Sequence, residues 1–410
     1  MITFAPQNFQ MKQIYYLLYT TSFLFLLCAC KKSTEINLAS ASTVNANANF
    51  VRIATSTQKY TPLSAAYVSQ KANEIQTFFD KNWADQQNVS FLVAQNGQII
   101  FEKYQGFADK NTQTLINANT PMHIASISKV MTATAILLLI DANKITINQK
   151  VNTILSQFPY PEISIKNLLT HRSGLKNYTY FVEENNNWNP KRTLRNNDIV
   201  TIMKQKMLQL EVPADTKFSY CNTNYAILAL IIEKITGLNY INAMKKMIFE
   251  PLKMNDTYVF DFDLNQQTAV PSYKGNDFEI PFDYLDAIYG DKNIYSTPRD
   301  LLKFDLARNA PNFLNPKLKE AIYLGYSNEH KGKNNYGLGI RMINWETGQR
   351  YYFHNGWWHG NTSSYITLPK DNLCIMALSN KFSTKTYKVR ELSTLFGDYP
   401  FVIDKDNFEE

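Results

Sequence analysis

Strand-forming segments lie at both ends of this chain and helical ones fill its middle, so one sheet has to be assembled from the two ends around an inserted helical region. Near the N-terminal end, Val89 to Ala94 and Ile99 to Tyr104 bracket Asn96-Gly97, a dipeptide that favours a tight hairpin. Ser64 to Trp83, just before them, carries apolar residues at helical spacing. From Ser126 to roughly Met254 the pattern is mainly helical, including Ile165 to Thr170, Asp198 to Leu208 and Tyr225 to Ile235, the last stopped by Gly237. A further helix follows Asp300. Strands are then expected over Gly337 to Ile343, Arg350 to His354, Ser364 to Leu368 and Leu373 to Leu378, with Pro369 to Asn372 as a turn and a closing helix near Thr386 to Phe396. The fold class expected is α/β in the α+β sense: an antiparallel sheet built from both chain ends, flanked by helices, with a mainly helical insertion over roughly residues 140–290. With 410 residues the chain is long enough for one large domain of this kind.

The first 30 residues read differently. Met11-Lys12 opens a short basic region, Ile14 to Leu27 is mostly apolar, and Leu27-Cys28-Ala29-Cys30 ends it with small residues ahead of a cysteine. That resembles a bacterial lipoprotein signal over residues 1–30, with Cys30 as the lipidated first residue of the mature protein. Simple secretion, with cleavage nearby, is the alternative, and translation can start at Met1 or Met11. The apolar run is shorter than the ~20 residues a spanning helix needs, and Thr20-Thr21-Ser22 interrupts it. Residues 31–57, rich in Ser, Ala, Asn and Thr, read as a flexible tether, and residues 58–402 as the body. The expected location is the bacterial cell envelope, lipid-anchored, periplasmic or associated with the outer membrane. Of the remaining cysteines, Cys374 sits in an apolar strand-like run and Cys221 inside a candidate site, so both are expected as free thiols.

Charge excludes one class of partner. The formal net charge of +7 falls to +6 without Met1 to Ala29, whose only charged side chain is Lys12, and the excess is spread along the chain. No basic block interleaved with aromatics is present, so nucleic-acid binding is unsupported.

Three short motifs carry chemistry. In Ser126-Ile127-Ser128-Lys129 a hydroxyl and an amine stand three residues apart, at the start of the apolar run Val130 to Ile140. Positions i and i+3 share a helix face, so the amine can reach the hydroxyl. Burial beside the positive end of a helix disfavours a lysine's charged form, which makes it a base for a weak nucleophile. The plainer reading is an N-cap serine and a surface lysine. Tyr220-Cys221-Asn222 precedes a helical pattern: its phenol can relay a proton and its Asn222 amide can hold a substrate carbonyl, or the pair is a packed tyrosine and a helix cap. His354-Asn355-Gly356 closes a strand ahead of Trp357-Trp358-His359-Gly360. Glycine there admits a substrate backbone, and adjacent N–H groups can stabilise an oxyanion; the bland reading is a strand-end histidine packed by tryptophans.

Taken in this order, the three motifs resemble the serine β-lactamase and penicillin-binding-protein superfamily, in the class C-like branch that includes D-alanyl-D-alanine carboxypeptidases and esterases. Leu168-Leu169-Thr170-His171-Arg172-Ser173-Gly174-Leu175 resembles its L-L-T-H-x-S-G-L segment, and Tyr295-Ser296-Thr297-Pro298-Arg299-Asp300-Leu301 its S-T-x-x-D-L segment; the match runs from about Ala66 to Leu395. Read locally, Thr170 to Leu175 is a helix C-terminus capped by Gly174.

The resemblance implies a β-lactamase/transpeptidase-like fold and an exported serine hydrolase that forms an acyl-enzyme at Ser126. The substrate would be a small-molecule or peptide amide or ester, of the D-Ala peptide, ester or β-lactam class. Lys129 would be the partner base, Tyr220 the proton relay and Asn222 the substrate-orienting amide, with either Lys129 or Tyr220 taking the first proton. His354, Asn355, Gly356 and Trp357 would line the substrate, with the backbone N–H groups of Ser126 and Trp357 as oxyanion hole. The alternative is a catalytically inactive penicillin-binding-like lipoprotein that binds cell-wall peptide or a protein partner. Two departures bear on substrate. His354 stands where dedicated β-lactamases place lysine, which argues against strong β-lactam hydrolysis and suits esters or modified peptides. Trp357-Trp358 either narrows the cleft or packs the sheet. Neither H-E-x-x-H nor G-x-S-x-G occurs, and no cofactor or metal is expected, His354 and His359 being the one conceivable ligand pair.

Overall fold

The computed structural model describes residues 50–55, 58–83, 87–329 and 332–401. Cys30, the signal segment, His330 and most of the tether lie outside them. Within the unit Asn47–Glu410, α1 (Ala65–Trp83) leads into the hairpin β1 (Val89–Gln95) and β2 (Gln98–Gln105). Asn96 and Gly97 turn it with φ of 51° and 72°, the left-handed pair that such a turn requires. The helical part contains α2 (Ser128–Asp141), α3 (Ile165–Leu169), α4 (Asn196–Gln205), α5 (Asn222–Thr236) and α6 (Pro298–Asn309). β3 (Asn334–Tyr336), β4 (Arg341–Asn344), β5 (Arg350–Trp358), β6 (Asn361–Leu368) and β7 (Leu373–Ser379) complete the sheet.

Among the described residues the sheet has seven strands in the order β3-β4-β5-β6-β7-β1-β2, every neighbour antiparallel. β7 pairs with β1, for example Ala377 opposite Phe91, so the two ends of the chain meet in its middle as the sequence implies. β6 and β7 are buried along their whole length because both faces are covered. On one face α1 packs Ile75, Phe79 and Trp83 against Phe91, Ile366 and Ile375. The other face meets the helical part, with Leu92, Met376 and Leu378 in the same core as α2 and α5.

α2 begins two residues after Ser126 and is buried from Ser128 to Leu139. A helix apolar on all sides belongs inside a core. Each fully buried Leu or Ile in it stabilises the fold by roughly 1.5–3 kcal/mol, so its position is set by packing rather than by local propensity. α5 ends at Gly237, whose φ of 68° supplies the left-handed cap.

The expected tether to residue 57 ends too late, since Ile53 is already in the core with its N–H on the Met247 carbonyl at 2.9 Å, and three points further along also differ from the sequence reading. β5 does not close at His354 but continues to Trp358, because β6 pairs with it from Tyr352 to Trp358 and carries it past the motif. The segment Gly337 to Ile343 is not one strand: Gly339, at φ 83°, breaks it before β4. Gly174 caps no helix. α3 ends at Leu169, and the residue that turns left-handed just after it is His171, at φ 55°. Gly174, at φ 72°, instead allows the close approach of Val212, whose carbonyl oxygen would lie 2.0 Å from an added Cβ. Cys221 and Cys374 are buried free thiols, as expected.

Candidate active site

A 3₁₀ turn, Ala125–Ile127, delivers Ser126 to the start of α2. Ala125 has φ of 46°, a conformation that costs a non-glycine residue about 1–2 kcal/mol and is held only where surroundings over-determine it. Two contacts hold it here. The Ala125 N–H donates to His123 Nδ1 at 3.1 Å, and Gly356 of β5 lies so close that an added Cβ would sit 2.5 Å from the Ile124 carbonyl oxygen and 3.0 Å from Ala125 Cβ. Gly356 therefore serves close approach between β5 and the serine turn.

One turn along α2, Lys129 is fully buried while Ser126 is partly exposed. Its Nζ lies 3.0 Å from Ser126 Oγ and donates to the Asp291 carbonyl at 2.9 Å. No carboxylate among the described residues pairs with Lys129. Tyr220, half-buried, brings its ring to 5.0 Å from Lys129 Nζ. Asn222 opens α5 two residues on, and its Oδ1 is buried without a hydrogen-bond partner, an acceptor left over by the fold. Ser126, Lys129, Tyr220 and the face of β5 that bears His354 thus converge, with the rings of Tyr220 and His354 6.3 Å apart.

The third motif is arranged otherwise than the sequence suggests. Successive strand residues face opposite ways, so His354, Gly356 and Trp358 share the site face, whereas Asn355 and Trp357 point away from it. Asn355 Oδ1 accepts from Ser364 Oγ at 3.0 Å, and the Trp357 ring packs against Phe382 at 6.2 Å. Only main-chain atoms of Asn355 and Trp357 can face a substrate. His354 has no exposed surface. Its Nδ1 bonds to the Asn355 carbonyl at 2.8 Å, which can only accept, so Nε2 accepts from the Tyr336 hydroxyl at 3.3 Å. Burial, with Arg341 and Lys129 nearby, pushes its basicity well below the usual imidazole range. It is a neutral, fully bonded prop that presents no surface to solvent. The ligand pair imagined for His354 and His359 fails for the same reason, since His359 Nε2 is bound to Asp286, 2.9 Å from Oδ2.

β5 also offers an open edge. β4 pairs with it only as far as Phe353 and β6 covers its other side to Trp358, so among the described residues His354 to Trp358 have no strand on the β4 side. Backbone N–H and C=O groups there can pair with an extended substrate.

Arg341 and Lys292, which the sequence did not single out, also border these groups. Arg341, half-buried on β4, places its guanidinium 4.6 Å from the centre of the Tyr220 ring, and no carboxylate among the described residues pairs with it. Lys292, only 2% exposed, has Nζ 2.5 Å from Tyr178 Oη and 3.7 Å from Asp291 Oδ2; burial lowers its basicity against the pull of Asp291 and Asp286. Trp358 lies under that ammonium at 4.5 Å and donates to Asp286 Oδ1 at 2.6 Å. The tryptophan pair is therefore split, one ring in the site wall and the other on the outer face. Asp283, Asp286 and His359 form the one group among the described residues with three ligand-type atoms within 4.8 Å of one another, and it is already bonded internally. Apart from Lys292 beside Asp291 and Asp283 near Asp286, these contacts join segments far apart in sequence, and an unpaired arginine is invisible until its neighbours are known.

A family profile described as Beta-lactamase matches residues 75–395. Penicillin-binding protein 4* of Bacillus subtilis (strain 168) is 29% identical over 339 residues, covering 78% of this chain and 74% of that protein. The teichoic acid D-alanine hydrolase of Staphylococcus aureus is 28% identical over 253 residues, covering 60% of this chain and 61% of that protein. Among solved structures, a penicillin binding protein from Bacillus halodurans superposes with a TM-score of 0.68 at 22% identity, covering 78% of this chain and 98% of that one, a likeness of fold.

Proposed function

We propose that this chain, which belongs to the β-lactamase family of serine hydrolases, cleaves D-alanyl amides or esters that carry an anionic group, through an acyl-enzyme at Ser126. The observation that carries the reading is the contact of a fully buried lysine with a partly exposed serine, Lys129 Nζ to Ser126 Oγ at 3.0 Å. Attack of Ser126 Oγ on the acyl carbon passes the hydroxyl proton to Lys129. Collapse of the tetrahedral intermediate breaks the bond to the leaving group, which takes a proton by way of Tyr220. Water then repeats the sequence on the acyl-enzyme and frees Ser126. Main-chain N–H groups of Ser126 and Trp357 would face the developing oxyanion, and the Asn222 amide would orient the acyl group.

Arg341 supports the anionic substrate. A half-buried guanidinium without an acidic partner is a standing site for a carboxylate or phosphate, which it can grip bidentately. It supplies the positive charge that neutral His354 does not. The names of two relatives, a penicillin-binding protein and a teichoic acid D-alanine hydrolase, support D-alanine in the acyl or leaving group. Lipid attachment at Cys30, and with it a place in the cell envelope, is part of the same proposal and rests on the signal-like residues 1–30.

Intact-mass spectrometry of the mature protein, taken before and after exposure to a panel of D-Ala peptides, aryl esters and β-lactams, tests both parts. A mass increase lost in Ser126→Ala, with turnover down by roughly 10⁴ to 10⁶, is expected. Undiminished turnover in Ser126→Ala would remove the acyl-enzyme, and a mature mass without diacylglycerol would remove the anchor.

A further inference from the structure

We propose that His171 is a positioning residue for Tyr220, tying down the main chain on both sides of the phenol and bracing its ring from below. The inference rests on Tyr220 acting as the proton relay and goes beyond it in naming what holds the relay in place.

His171 meets the Ser219 to Cys221 segment at three points. Its carbonyl accepts from the Ser219 N–H at 2.9 Å, on one side of Tyr220. Its Nδ1 accepts from the Cys221 N–H at 3.1 Å, on the other side. Between them the imidazole and phenol rings lie 4.4 Å apart, tilted by 40°. Carbonyl and imidazole reach the same segment from a backbone with φ of 55°, a strained conformation for histidine, and the residue is fully buried.

The donors fix the tautomer. A backbone N–H can only donate, so Nδ1 carries no proton; Asn224 Nδ2 points a second donor at it from 3.0 Å, and Asn224 Oδ1 accepts from Ser173 Oγ at 2.5 Å. The ring proton is therefore on Nε2, which is buried without a hydrogen-bond partner. It is enclosed by rings instead, Tyr225 at 5.1 Å, Tyr336 at 4.8 Å and Phe218 at 6.1 Å. A buried donor is left unsatisfied while every acceptor position is used, which points to the acceptor on Nδ1 as what this site needs from its histidine. Burial, with Lys129, Arg341 and His354 close by, keeps the ring from taking a second proton, so the acceptor persists at working pH.

Loss of the acceptor strands the Cys221 N–H in the interior and frees the segment that carries the phenol. A shift of about 1 Å in a proton-transfer group costs on the order of 10²-fold in rate. Turnover of p-nitrophenyl acetate by the full-length protein, with melting temperatures alongside, is the measurement. Asparagine offers an acceptor and tolerates left-handed backbone, whereas phenylalanine keeps only the ring. His171→Asn is expected to recover kcat to within about threefold of wild type, and His171→Phe to lose about 100-fold in kcat with KM within about threefold. Because His171 acts through Tyr220, His171→Phe/Tyr220→Phe is expected to be no slower than Tyr220→Phe alone. Losses that multiply in the double variant, or asparagine as damaging as phenylalanine, overturn the proposal. A fully active Tyr220→Phe overturns it too, by removing the relay, while Ser126 labelling still reports on the acyl-enzyme. If His171→Phe does not fold, Asn224→Ala takes its place in the cycle, with a loss of about tenfold that vanishes in the Tyr220→Phe background; multiplying losses there again count against it.

Discussion

Adding one methyl group at Gly356 is expected to push β5 away from the turn that carries Ser126. In Gly356→Ala the new Cβ would lie 2.5 Å from the Ile124 carbonyl oxygen, 3.0 Å from Ala125 Cβ and 2.3 Å from Ser363 Oγ. The serine hydroxyl can rotate away. The carbonyl cannot, because it is main chain and accepts from the Ile127 N–H at 3.1 Å, and rotation of Ser363 Oγ also gives up the 2.8 Å hydrogen bond it donates to that carbonyl. Restoring an ordinary contact of about 3.4 Å requires β5 and the serine turn to separate by about 0.9 Å, an overpacking strain worth about 1–3 kcal/mol. The same displacement moves Ser126 relative to the Trp357 N–H, and a misplacement near 1 Å costs about 100-fold in turnover. Steady-state hydrolysis of an aryl ester and a urea titration read the two effects separately. Gly332→Ala is the control, since a Cβ there meets nothing within 4 Å. Turnover of Gly356→Ala within threefold of wild type, with an unchanged urea midpoint, would refute the argument that this glycine exists for close approach.

Two further predictions concern charge. Arg341→Gln is expected to lower kcat/KM by about 30–100-fold for substrates with a carboxylate or phosphate, the worth of one charged hydrogen-bond pair, and to leave neutral aryl esters within about threefold; equal losses on both would remove the anion site. Acid stability is the second. Burial pushes the His123 imidazole from 6.5 down to about 4, so the unfolded chain takes up its proton first as pH falls, and the contribution is whole above pH 6.5 and lost as pH drops through 4. That amounts to about 2 kcal/mol by pH 5 and about 3 kcal/mol below pH 4. Urea midpoints between pH 7.5 and 5 are expected to fall less steeply in His123→Gln; parallel slopes would show that His123 is not the group responsible.

What the sequence disclosed follows from the range of each interaction. Ser126 and Lys129 are one helical turn apart, so their contact is a local consequence of α2 and could be read from spacing. The Asn96-Gly97 turn and the Gly237 cap are local in the same way. The far end of β5 was not, because Trp357 and Trp358 do not alternate in polarity and only pairing with β6 keeps them extended. Gly174 and His171 were exchanged for a similar reason: glycine is the ordinary left-handed residue, and the histidine adopts that conformation under constraint from Ser219 and Cys221. His354 was recognised as uncharged, but its distance from substrate depends on Tyr336, which lies on another strand. Arg341 escaped notice because nothing in its own segment distinguishes it.

The pairing of β1 with β7 sets an order of events for this chain. β1 begins at Val89 and β7 at Leu373, so the centre of the sheet stays open until the chain has been made through Ser379. Non-local closure of this kind is slow. β5, which buttresses Ala125 and Ser126 through Gly356, arrives nearly as late. A product that stops before β5 holds Ser126 and Lys129 but not the strand that braces them, so on the proposed acyl-enzyme reading hydrolysis is expected only once β5 to β7 have docked.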